Sequence, residues 1–210
     1  MPRTLILLAH GAGAGSSSAW MRAWAARLGA LGQVVPFDYP YMREGRKAPD
    51  RLPKLIAAHR DALRQARADH PRCQRVVLCG KSMGSRVGCH LSLEEEGIDA
   101  LVCLGYPLVS IGKAGTLRDA VLRELRVPIL FVQGTRDRLA PLETLEAVRA
   151  QLSTRSALHV VETGDHSLQI TKTHTKATGQ TQEEADARAL EAVRAFLATL
   201  DRAAGRQARP

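Results

Sequence analysis

Val76-Val77-Leu78-Cys79-Gly80-Lys81-Ser82-Met83-Gly84-Ser85-Arg86 sets the pattern from which the architecture of this chain can be worked out. Four apolar residues, two of them β-branched, run into a glycine, as a buried strand does at its end. From Met83 onward the composition suits a helix. Between the two stands Gly-x-Ser-x-Gly, residues 80–84. Glycines on both sides of the serine permit a tight, strained strand-to-helix turn that lifts the Ser82 hydroxyl clear of the backbone. The pattern alone is weak, because small residues are common in turns, and its plain alternative is a glycine-rich turn that lets helix and strand pack closely. Its place between a strand and a helix makes it a candidate nucleophile elbow.

Working outward, the same rhythm recurs. Short runs rich in Val, Leu and Ile, bounded by Gly, Pro or Asp, predict strands over residues 4–9, 34–38, 75–79, 100–105, 128–133 and 158–162. Amphipathic stretches alternate with them. Leu52, Leu55, Ile56, His59, Leu63 and Ala66 follow helical spacing until Pro71 closes the segment, with His59 on the apolar face as a packed core residue. Ala189, Leu190, Val193, Leu197 and Leu200 form a second stripe. Strand and helix in repeated alternation predict an α/β fold, a doubly wound, mostly parallel sheet of about six strands. Three stretches break the rhythm: residues 39–50 read as a loop, 170–182 as a mobile surface loop, and 203–210 as a flexible tail after a single domain over 1–202.

In an open parallel sheet, ligands bind beyond the carboxyl ends of the strands. Gly134-Thr135-Arg136-Asp137 follows the fifth predicted strand, and Thr163-Gly164-Asp165-His166-Ser167 follows the sixth. Ser82, Asp137 and His166 therefore occur in that chain order, each just past the end of its own strand, as a nucleophile, an orienting acid and a general base would. Taken singly, Asp137 is an ordinary turn aspartate and His166 an ordinary loop histidine; their joint placement carries the reading. Glu162 and Asp165 are alternative acids, although Asp165 adjoins the histidine and points elsewhere. His70, His90, His159 and His174 have no matching acid at a strand end. The first predicted strand ends in His10-Gly11-Ala12-Gly13-Ala14-Gly15-Ser16, whose backbone N–H groups can approach a substrate closely. The amides of Ala12 and Met83 are the candidate oxyanion donors. His10, Lys81 and Arg43 are candidate substrate-binding residues. Arg43, Arg46 and Lys47 in one loop, with Lys172 and Lys176 in the other, would make a positive mouth attractive to an anionic acyl or leaving group if both loops border the site; ordinary solvated charge is the plainer reading.

A length of 210 residues suits one domain. Thirty Lys and Arg against 21 Asp and Glu give +9, but the cations are scattered and aromatics make up only 4%, so base-stacking platforms are scarce and nucleic acid is not the expected partner. The apolar run Leu5 to Ala9 is too short for a membrane span or a signal peptide. Cys73, Cys79, Cys89 and Cys103 lack metal-ligand or disulfide spacing. A cytoplasmic protein with reduced thiols, no metal and no cofactor is expected. A dinucleotide-binding reading uses Gly11, Gly13 and Gly15, with Asp38 as the ribose acid. Ser16 occupies the position of the third required glycine, and that reading leaves Ser82, Asp137 and His166 unexplained.

Together, HGAGAG (10–15), GKSMG (80–84), GTRD (134–137) and GDHS (164–167) resemble the α/β-hydrolase superfamily, and are most similar to small dienelactone-hydrolase-like bacterial proteins with an HGAGAG turn and a GKSMGSR elbow. The resemblance extends over roughly residues 4 to 200. It implies a serine hydrolase acting on a small carboxylic ester or thioester through an acyl-enzyme. Dienelactone hydrolases proper use a cysteine nucleophile, so their substrate does not carry over to Ser82. The stretch 106–127 is too short for the cap domain that usually interrupts the fold there, which implies a minimal fold and an open, shallow pocket. A catalytically silent member serving as an interaction module is the competing reading, but a scaffold has no physical need for a strained serine elbow.

Overall fold

The computed structural model describes residues 3–110 and 116–207, the last seven as backbone only. Its strands are β1 (Thr4–Ala9), β2 (Gln33–Phe37), β3 (Arg75–Lys81), β4 (Ala100–Leu104), β5 (Ile129–Gly134) and β6 (Ser156–Val161). They form one sheet in the order β2-β1-β3-β4-β5-β6, with every neighbouring pair parallel. Side chains of a strand alternate between faces, and both faces here are covered. Leu5, Leu7, Leu78, Leu101, Cys103, Ile129 and Phe131 pack with α3 (Leu52–Asp69), α4 (Met83–Glu94) and α6 (Leu142–Arg149). Ile6, Leu8, Val77, Cys79, Val102, Leu130 and Val132 pack with α1 (Ala19–Leu28) and α8 (Gln182–Gln207). The sheet is therefore doubly wound, as predicted, and wholly parallel.

Strand limits differ where pairing outruns hydrophobicity. β3 continues to Lys81, which pairs with Leu104, and edge strand β6 starts at Ser156 opposite Ile129, ahead of its apolar run. Residues 170–182 hold a helix, α7 (Lys172–Thr178), where a mobile loop was expected. Thr171 caps it by accepting from the His174 N–H, and Gly179 closes it in the left-handed conformation at φ 76°. No residue of α7 is buried, so no apolar stripe announces it. Residues 39–50 begin with α2 (Pro40–Arg43), and Tyr39 and Tyr41 are fully buried, so the segment is pinned to the core. Between β4 and β5 the described chain adds one short helix, α5 (Ala120–Arg123). Helix α8 runs to Gln207, beyond the Ala203 at which the tail was expected to start, and residues 208–210 lie outside the described residues. Among the described residues no helix is long and apolar enough to cross a membrane.

Candidate active site

The turn after β3 holds Ser82 at φ 51°, ψ −114°, a left-handed conformation that costs a non-glycine residue about 1–3 kcal/mol. Close packing of α4 enforces it. A Cβ on Gly80 would lie 2.2 Å from the Ser85 nitrogen, and one on Gly84 would lie 2.5 Å from the Ala9 carbonyl oxygen. Only glycines fit these two positions, and the helix then starts at Met83 with the serine hydroxyl at the carboxyl end of the sheet.

Asp137 and His166 arrive from the neighbouring strand ends. His166 Nδ1 donates to Asp137 Oδ2 at 2.7 Å, and Ser82 Oγ donates to His166 Nε2 at 2.7 Å. A carboxylate can only accept, so the proton belongs on Nδ1 and the Nε2 lone pair faces the serine. The Asp137 side chain is wholly buried, yet its lone pairs are used: Leu139 N–H donates to Oδ1 at 2.8 Å, and the Gln133 amide donates to Oδ2. Gln133 is itself oriented by the Tyr106 N–H, which donates to its Oε1 at 3.2 Å.

The loop bearing His166 is clasped from two sides. Lys81 Nζ donates to the His166 carbonyl oxygen, and Trp20 Nε1 donates to the Ser167 carbonyl oxygen at 2.8 Å. Lys81 also lies over the Trp20 ring, 5.1 Å from its centroid. Burial pushes the Lys81 amine down to about 8, against the attraction of Asp137 and Asp165. Of the alternative acids, Glu162 accepts from Thr135 Oγ1 at 3.4 Å, and Asp165 closes its own turn by accepting from the Ser167 and Gln169 N–H groups at 2.7 and 3.0 Å. Neither bonds to His166.

A cleft of about 390 Å³ opens over Ser82 and His166, walled by Ala12, Ala14, Trp20, Met21, Lys81 and Leu139. Ala12 is thus at the site, and Met83 follows the serine. His10 is not presented to the cleft. It is buried, with Nδ1 on the Gly11 carbonyl oxygen at 2.6 Å and Nε2 accepting from the Tyr39 N–H at 3.1 Å, and burial lowers its affinity for a second proton. Arg43 lines a separate cleft with Phe37, Asp38 and Asp61, and Arg46 pairs with Glu44 and Asp50. None of Arg43, Arg46, Lys47, Lys172 and Lys176, the cations expected at a positive mouth, lines the cleft; Lys81 does. Asp38 is engaged by the Ser16 N–H and hydroxyl at 2.6 and 2.9 Å, tying the glycine turn to β2 rather than offering a ribose acid. A larger cleft of about 750 Å³ lies at the amino ends of the strands, lined by Arg3, Gly32, His70 and Cys73, far from these groups.

Sequence reasoning missed Gln133, Trp20 and Tyr41. Gln133 had a signal, as a lone polar residue closing the apolar run PILFVQ. The other two owe their positions to contacts distant in the chain.

The model of the alpha/beta hydrolase domain family matches residues 2–198. Among solved structures, the dienelactone hydrolase of Anabaena variabilis superposes with a TM-score of 0.64 at 20% identity, over 87% of this chain and 85% of its own. Est1E of Butyrivibrio proteoclasticus, solved with ferulic acid bound, superposes with a TM-score of 0.62 at 18% identity, over 90% and 89% of the two chains. Protein sumv-2 of Caenorhabditis elegans is 31% identical over 102 residues, which are 48% of this chain and 9% of that protein's length. With the family model matched from residue 2 to residue 198, the chain belongs to the alpha/beta hydrolase domain family.

Proposed function

We propose that this hydrolase is a serine esterase or thioesterase that cleaves a small acyl substrate through an acyl-enzyme, with Ser82, His166 and Asp137 as its triad. The observation that carries the reading is the unbroken chain from Asp137 Oδ2 through His166 to Ser82 Oγ, 2.7 Å at each link. As Ser82 Oγ attacks the carbonyl carbon, His166 Nε2 takes its proton, and Asp137 holds the ring and stabilises the imidazolium. The carbonyl electron pair moves onto oxygen, where the Ala12 and Met83 N–H groups receive it. Neither N–H has an acceptor among the described residues, and that of Met83 opens α4, where the helix dipole favours negative charge. Collapse of the tetrahedral intermediate breaks the bond to the leaving alkoxide or thiolate, which takes the proton from His166. Water, activated by the same nitrogen, then releases the acid.

The cleft volume of about 390 Å³ and its Ala, Trp, Met and Leu walls favour a short, largely apolar acyl group. The free state of all four cysteines accords with a cytoplasmic setting for the single domain. The test is pre-steady-state hydrolysis of p-nitrophenyl butyrate. A burst of p-nitrophenol equal to the enzyme present is expected, with Ser82→Ala slower by a factor on the order of 10⁴ or more. Undiminished turnover in Ser82→Ala would overturn the reading.

A further inference from the structure

We propose that Tyr41 is a positioning residue whose hydroxyl turns the Gly11–Ala12 peptide so that the Ala12 N–H faces the developing oxyanion; this rests on the reading of Ser82 as the acylated serine. Residues 11–15 are all Gly or Ala, so their own side chains fix little of their conformation. What holds the turn comes from outside it. The Tyr41 hydroxyl lies 3.3 Å from the Gly11 carbonyl oxygen and 3.1 Å from that of Ala12, and its proton is shared between them. His10 Nδ1 adds a second donor to Gly11 O at 2.6 Å.

A peptide unit is planar and trans, so the Gly11 carbonyl and the Ala12 N–H point in opposite directions. Drawing the carbonyl toward Tyr41 and His10 sends the N–H the other way. Gly11 abuts the nucleophile: a Cβ placed on it would sit 3.4 Å from the Ser82 Cβ. Were this peptide to flip, a carbonyl oxygen would face the negative charge that forms during attack, replacing attraction with repulsion. Tyr41 is suited to prevent that. Its side chain is fully buried, stacked on Tyr39 at 6.5 Å between centroids and edge-on to His10 at 5.9 Å. Burial, chiefly, pushes its hydroxyl up to about 12, so it stays a donor throughout the working range. Because it does not line the cleft, it acts through the backbone and not on the substrate.

Tyr41→Phe removes the hydroxyl and keeps the ring. Losing an oxyanion donor outright costs on the order of 10²–10³ in kcat, and losing the group that aims one costs less, about tenfold to a hundredfold. With p-nitrophenyl butyrate, kcat is expected to fall by that factor with KM within about twofold. Affinity for butylboronic acid, which forms a tetrahedral adduct on serine, should fall in parallel, and inhibition by butyrate should not change. Tyr39→Phe is the control, because its hydroxyl bonds His59 and not the turn; its stability should drop while kcat holds. Equal kcat losses in the two variants, unchanged kcat in Tyr41→Phe, or a rise confined to KM would overturn the proposal. If wild type forms no boronate adduct and shows no burst, the serine reading fails and this proposal with it. A wild type with both, alongside a fully active Tyr41→Phe, removes the Tyr41 role alone.

Discussion

A buried carboxylate is costly unless its lone pairs are occupied, and Asp137 accepts from Leu139 N–H, from the Gln133 amide and from His166 Nδ1. Two of these donors are fixed by the β5 strand end and the turn that follows it. The third, the imidazole, is therefore told where to sit. Asp137→Asn keeps one acceptor oxygen and replaces the other with a donating NH2 in nearly the same shape. The amide can turn its N–H toward Nδ1, which would then surrender its proton to Nε2 and leave no lone pair facing Ser82. The expected loss in kcat on p-nitrophenyl butyrate is about 10⁴-fold. Glu162→Gln, whose carboxylate accepts from Thr135 and from its own neighbour Thr163, should stay within about twofold. A dead Glu162→Gln beside an active Asp137→Asn would reverse the assignment of the acid.

Elements with a periodic apolar face were readable, and those held by caps or by single anchors were not. Strands β1, β3, β4 and β5 bury both faces and so read as continuous apolar runs, while α3 and α8 bury side chains at a spacing of about 3.6. Helix α7 buries nothing, and its signals were only Thr171 at one end and Gly179 at the other. The segment after β2 was read from its Pro, Gly and Arg content, while Tyr39 and Tyr41, which fix it, do so through partners far along the chain. Ser82, Asp137 and His166 could be found because each follows a strand end; Tyr41 could not, because nothing local marks the bond from its hydroxyl to residues 11 and 12. The anchor at Tyr39 has a measurable consequence for α3. His59 of that helix is fully buried, with Nδ1 3.1 Å from the Tyr39 hydroxyl and no partner at Nε2, and burial drives its pKa from 6.5 to about 3. The folded pKa lies below the unfolded one, so between these values the unfolded chain binds a proton that the folded chain refuses. The neutral ring's contribution is fully present above pH 6.5 and is lost as the pH falls toward 3, at a slope approaching about 1.4 kcal/mol per pH unit. His10 adds a slope of the same sign. Urea unfolding should show the stability of wild type, measured against that of His59→Phe at each pH, falling between pH 7 and pH 4. A difference independent of pH would contradict the account of the buried ring.

Across the whole molecule, the parallel sheet gathers the ends of β1, β3, β5 and β6 on one side, and the turns from those ends supply Ala12, Ser82 and His166 to one cleft, with Asp137 buried behind the histidine. Helix layers cover both faces of the sheet, and Ser82 and His166, 84 residues apart in the chain, meet at hydrogen-bond distance across those strand ends. The net charge of +9 has little part in this arrangement. The cations of residues 43–47 and of α7 do not line the cleft, and Lys81 is spent on the His166 carbonyl and the Trp20 ring. On the function proposed for this site, Ser82 is a nucleophile activated by His166. Treating the protein with a fluorophosphonate and measuring intact mass, followed by mapping of the modified peptide, tests this most directly. One adduct per chain is expected, located on Ser82, absent from Ser82→Ala and greatly slowed in His166→Ala; an unmodified wild type, or an adduct that persists in Ser82→Ala, would overturn that role for the serine.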